Sequence, residues 1–246
     1  LFILLCINKL KRRDGSMLHL LKLELKKFNL GWYVKGAMIA NIIITAVVCS
    51  VIYLAQREGD ISISTYQDVY VLIGASVRAT FIVFASVLIA KLVIEEYKNR
   101  TILIMFTYPI SRKKLIASKL ALIAFLTFVT IMLSNIVVAG LFSIISTYFP
   151  IVPFTITANQ FIGEVINIIP FAIAATGTSL IPLYFGMRNY SVPATIGSSL
   201  LVVAIACSYN PEISFVTFIP LQLGLAAVGV IIGYLGIRNI ENIDAI

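Results

Sequence analysis

Charge is scarce in this sequence: only 12% of its 246 residues are charged, against 60% apolar residues, and the mean hydropathy is positive. So little polar surface excludes a soluble globular domain, which could not bury that much apolar area, and leaves a chain whose solvent is mostly lipid. Histidine is nearly missing, with His19 alone, and of three cysteines Cys49 and Cys207 fall in apolar runs and Cys6 near the start. That excludes a disulfide framework and a histidine or cysteine metal cluster. There is no Gly-x4-Gly-Lys-Ser/Thr, so the loop whose N–H groups would cradle ATP phosphates is missing too. No internal repeat, low-complexity tract or soluble domain stands out.

What is present is long apolar runs. About 20 such residues cross the hydrocarbon as a helix, because a helix satisfies its own backbone where water is absent. Six stretches qualify: Gly36–Ala55, Val69–Ala90, Leu120–Ser146, Phe161–Phe185, Ser191–Tyr209 and Phe215–Ile237. Pro170 and Pro182 give the fourth two places to kink. The expected fold is therefore all-helical, with six membrane spans.

The net charge of +8 is distributed by side. With six spans, all nineteen basic residues except Arg57 and Arg78 fall before span one, between spans two and three, or after spans four and six. By the positive-inside rule both termini are cytoplasmic, in a cell membrane. The basic charge then meets anionic head groups, not nucleic acid. Before span one, Leu18, Leu21, Leu25 and Phe28 recur at helical spacing within Met17–Leu30 while Lys22 and Lys26 fall elsewhere, which predicts an amphipathic interfacial helix. Trp32 and Tyr33 follow at head-group level. Residues 1–16 are expected to be an extension of uncertain status, 17–238 one membrane domain, and 239–246 a cytoplasmic tail.

Between spans two and three, EEYKNRTILIMFTYPISRKK admits two readings. Glu95, Glu96 and Arg100 fit the EExxxR pattern of an intramembrane protease family. That chemistry needs later histidines to help activate water, and the sole histidine lies upstream, so the catalytic constellation is incomplete. The apolar run that follows, from Thr101 through Ile102, Leu103, Ile104, Met105 and Phe106, is too short to span and too apolar to face water. Tyr108 and Pro109 end it, Ser111 suits a helix N-cap, and Arg112, Lys113, Lys114 and Lys119 are expected to hold the next span's end at the head groups.

The order of acidic pair, Arg-Thr, apolar turn, Pro-x-Ser-Arg and then lysine resembles the region between spans two and three of ABC type-2 permeases. The six-span plan and the interfacial helix are similar as well. The resemblance implies a transporter subunit, not an enzyme. Its coupling helix would dock on a separate cytosolic ATP-binding cassette subunit through Glu95, Glu96, Arg100–Phe106 and Arg112. ATP and Mg would be held by that partner and no cofactor by this chain, and two permease subunits, identical or different, would assemble. Small members of the family include exporters that protect against peptide antibiotics such as bacitracin or lantibiotics and others that move lipids, polysaccharides or ions; short outer loops favour an amphipathic or membrane-active peptide as the cargo. A non-transporting membrane sensor or assembly factor is the third class.

Inside the spans, Arg78 stands mid-membrane, and Glu164 is the acidic residue expected to pair with it, as a packing contact or a substrate-path group. Asn135 and Asn167 read as interhelical hydrogen-bonding residues, and Gly229-x3-Gly233 as tight helix packing within one subunit.

Overall fold

The computed structural model describes residues 30–58, 65–98, 112–148, 158–208 and 217–243. Among these the ordered elements are helical: α1 (Leu30–Glu58), α2 (Tyr66–Ile89), a π-helical turn (Ala90–Ile94), α3 (Glu95–Lys98), α4 (Arg112–Tyr148), α5 (Ala158–Thr178), α6 (Pro182–Asn189), α7 (Val192–Ala206) and α8 (Ile219–Ile243). The expected interfacial helix at Met17–Leu30 lies, but for Leu30, outside the described residues, as does the extension at 1–16.

Among the described residues four stretches are long and apolar enough to cross a membrane: Gly31–Arg57, Tyr66–Ile94, Ile116–Tyr148 and Ile162–Arg188. Val192–Ala206 and Ile219–Leu235 are shorter apolar helices. At 1.5 Å per residue the former reaches only about 22 Å, less than the roughly 30 Å of hydrocarbon. The last helix continues to Ile243, into the segment expected as a tail. α4, at 37 residues, is about 55 Å long and exceeds a bilayer core unless it tilts or emerges from it.

Proline explains the shape of the fourth span. α5 continues past Pro170, but the helix stops at Thr178 and restarts at Pro182. Pro182 has no N–H to give the Thr178 carbonyl, which takes the Ile181 N–H instead at 3.1 Å, while Leu180 N–H reaches Gly177 O at 3.2 Å. A tight turn therefore joins the two segments, with Ser179 wholly buried in it. Tyr190, in a left-handed conformation (φ 46°), turns the chain from α6 into α7, which Ser191 caps.

Two apolar clusters hold the bundle. One packs Ile44, Val48 and Ile52 of α1 against Ile73, Val77 and Phe81 of α2 and Ile131, Val138 and Phe142 of α4. The other gathers Tyr33, Leu88, Ile89, Ile94, Ile116, Leu120, Ile123, Leu180 and Leu183 at the end of the bundle nearest the π turn. Tyr33 corrects its expected place at the head groups: it is 2% exposed and its hydroxyl shares a 3.0 Å hydrogen bond with Thr130 Oγ1. Trp32 beside it does point outward, with the Lys91 ammonium 3.9 Å from its ring centre.

Lipid tails are as apolar as leucine, so close approach of small residues supplies much of the cohesion between such helices. α5 and α8 show this most directly. A Cβ on Gly177 would lie 2.6 Å from Ala226 Cβ, and one on Gly229 would run into the Gly177 carbonyl. The Gly229 contact expected from the sequence is thus made within the chain. Between α2 and α7 the buried hydroxyls of Ser86 and Ser199 are bonded at 3.0 Å.

Candidate functional site

Two clusters of polar groups stand out against this apolar background. The first is centred on Arg78, midway along α2 and only 6% exposed. Its Nε donates to the Gly74 carbonyl one turn back, at 3.0 Å, and its Nη1 to Gln222 Oε1 on α8, also at 3.0 Å. The guanidinium lies 4.7 Å from the ring centre of Phe171 on α5. A charge at this depth costs about 2.5 to 3.5 kcal/mol on insertion scales, and bonds to polar groups and an aromatic face offset that cost. A cavity of about 10 Å³, room for one water, is lined by Arg78, Thr178, Cys207 and Gln222 among others.

Among the described residues Arg78 has a side-chain hydrogen-bond partner in Gln222, which the sequence reading did not weigh. Glu164 sits half-buried on α5, and the buried Tyr70 hydroxyl of α2 has no hydrogen-bond partner among the described residues. Gln222 could have been found: it is the polar residue in the otherwise apolar run IPLQLGLAAVG, and its burial follows from lying on the α8 face that meets α5. The two asparagines correct the sequence expectation. Asn167 is exposed, and Asn135 Nδ2 donates to Ile131 O of its own helix at 2.8 Å. Asn135 Oδ1, buried and without a hydrogen-bond partner, faces the same point beside Gly74 as Arg78 Nη2.

The second cluster lies where α2 passes through the π turn into α3. A π turn holds one residue more than an α turn, and the Glu95 N–H accordingly reaches five residues back to Ala90 O. Against it sits Lys119, which begins the third turn of α4. The sequence placed this lysine at the lipid head groups; instead it is 2% exposed. Its ammonium makes an ion pair with Glu96 and donates to the Leu92 carbonyl at 3.0 Å. A lysine is almost never so buried unless paired. The helix begins at Arg112, so Lys119 is two turns inside it and faces α2 rather than the membrane edge.

Of the expected docking residues, Glu95 and Glu96 form the first turn of α3, both partly buried, and Arg112 opens α4. Arg100, Thr101, Ile102, Leu103, Ile104, Met105 and Phe106 lie outside the described residues.

Long apolar helices packed through glycine contacts, with charged groups turned inward, define a multi-pass helical membrane protein. Residues 20–207 match the family described as "ABC-2 family transporter protein". A protein of Bacillus subtilis (strain 168), "Uncharacterized protein YcbO", is 44% identical over 228 residues, covering 93% of this chain and the whole of that relative. No solved structure gives a significant match. The chain belongs to the ABC-2 family of transporter proteins: it is of a kind that forms the membrane component of a transporter and does not itself carry out catalysis.

Proposed function

We propose that the chain is the permease subunit of an ATP-driven exporter, with six spans and both termini in the cytoplasm of a cell-membrane-resident complex. Family membership over residues 20–207 carries this reading, since ABC-2 permeases normally work with ATP-binding cassette subunits. The sequence adds to it by lacking a phosphate-binding loop of its own. Docking falls to Glu95, Glu96, Arg100–Phe106 and Arg112, and a second permease subunit completes the path. Nucleotide-driven closure of the ATPases then moves the docked elements and, through them, spans two and three.

Docking is tested by copurification from membranes. An ABC ATPase should accompany the wild type, and Ile104→Asp or Phe106→Asp should weaken its binding about 100-fold, the effect of forcing a carboxylate into an apolar contact. Undiminished binding by both variants would remove the docking assignment. For cargo, an amphipathic, membrane-active peptide fits best: the connections at 59–64, 149–157 and 209–216 are too short for a large extracellular recognition domain. Cells producing the chain with its ATPase should tolerate more bacitracin or lantibiotic than cells without it. Equal tolerance to both rejects that cargo class.

A further inference from the structure

We propose that Lys119 and Glu96 are positioning residues for coupling: their buried ion pair locks the two helix ends that flank residues 99–111 into one rigid unit. The proposal rests on the permease reading above. Lys98 ends one helix and Arg112 begins the next, so anything that moves the chain between them acts on both stems. Without a tie, α3 and the first turns of α4 could swing separately, and a push on one would not reach the other.

The geometry argues for a tie. Lys119 reaches across from the third turn of α4 to hold both a side chain of α3, through Glu96, and a main-chain carbonyl of the π turn, through Leu92. Bonding to the main chain fixes the position of the helix itself, not just of a rotamer. The π turn is also where the α pattern of this helix is interrupted, and converting it to α would rotate α3 about the helix axis. The lysine sits on that interruption.

The unit is backed from behind. Gly186 of α6 lies so close to the π turn that a Cβ there would be 2.9 Å from Ile94 Cδ1, and it would also collide with Thr195 of α7. Ile94 is itself fully buried. Displacement of the clamped pair is therefore passed to the fourth and fifth apolar helices as well as to α2 and α4. An apolar pair could fill the same space. A charged pair adds direction, since it is satisfied in one relative placement of the two helices, and buried polar pairs are best attested in such register-setting roles.

The test uses the full chain with its copurified ATPase in lipid nanodiscs. Cys6, Cys49 and Cys207 are replaced by alanine, and spin labels are attached at exposed Gln56 and Tyr148, at the ends of α1 and α4 remote from the clamp. In the parent protein and in Lys119→Arg, ATP with vanadate should shift the label-to-label distance. In Lys119→Met, which breaks the tie to both Glu96 and Leu92 and leaves every docking residue in place, the ATPase should still bind and the thermal midpoint should hold, but the shift should be lost. A full shift in Lys119→Met overturns the proposal. So does loss of ATPase binding or of thermal stability in that variant, because the lysine would then serve docking or folding instead. If no ATPase accompanies even the parent protein, the permease reading itself fails.

Discussion

Gly229→Leu is expected to abolish the folded protein in the membrane, measured as loss of a monodisperse peak in fluorescence-detected size-exclusion chromatography. A Cβ at this position would collide with the Gly177 carbonyl and sit 3.2 Å from Ile181 Cγ1. Overpacking generally costs about 1 to 3 kcal/mol and sometimes more. Here the obstacle is main chain, which no rotamer change can move, so α5 and α8 must separate along a contact that also includes Gly177 and Ala226. Set against a typical net stability of about 5 to 15 kcal/mol, losing that whole seam is decisive. Gly224→Leu is the control, because nothing lies within 4 Å of its Cβ direction, and it should leave the peak unchanged. A normal peak for Gly229→Leu would show that the two helices do not meet as described.

Gln222→Leu should lower stability by about 1.5 to 3 kcal/mol, the usual worth of a hydrogen bond to a charged group. The cation stays while an acceptor 3.0 Å from its Nη1 disappears. Adding Arg78→Leu should then restore membrane levels, because the second change removes the roughly 2.5 to 3.5 kcal/mol burden of a charge at that depth. Thermal midpoints of the two single variants and the double variant make the cycle. Additive losses, with no recovery in the double variant, would mean that Gln222 and Arg78 do not act as a pair. The same geometry gives no reason for Arg78→Glu with Glu164→Arg to recover what either change loses, whereas direct pairing of those two residues predicts recovery.

Much of the bundle was legible in sequence because membrane helices are written as uninterrupted apolar runs. The expected spans at Gly36–Ala55, Val69–Ala90 and Leu120–Ser146 lie inside α1, α2 with the π turn's first residue, and α4. Pro182 marked the break in the fourth span because a missing N–H is a local property of one residue. Which way a side chain faces is not local, and there the sequence reading went astray. Lys119 looked like a head-group anchor from its place among Arg112, Lys113 and Lys114, yet its face of α4 meets the π turn. Tyr33 looked like an interface aromatic beside Trp32, but adjacent helical residues point about 100° apart, so one can meet lipid while the other meets Thr130. The π turn has no sequence signature in AKLVI, since it depends on what packs around it. Gln222 is an amide in an apolar run like Asn135 and Asn167, and nothing in the run itself shows that it meets the charge at mid-membrane.

The sparse inward face of α1 bears on how this chain can change over generations. Among the residues of this helix whose burial is described, only Tyr33, Ala40, Ile44, Thr45, Val48 and Ile52 are buried, while Val34, Met38, Ile39, Ile42, Ile43, Val47, Val51 and Leu54 face outward. Where hydrocarbon is the neighbour, one aliphatic residue serves nearly as well as another. Drift among isoleucine, leucine, valine and methionine is therefore cheap along the outer positions and restricted along the inner ones. Within this chain the first helix keeps its place by a narrow ridge, and wherever lipid is its neighbour the choice among aliphatic residues is open.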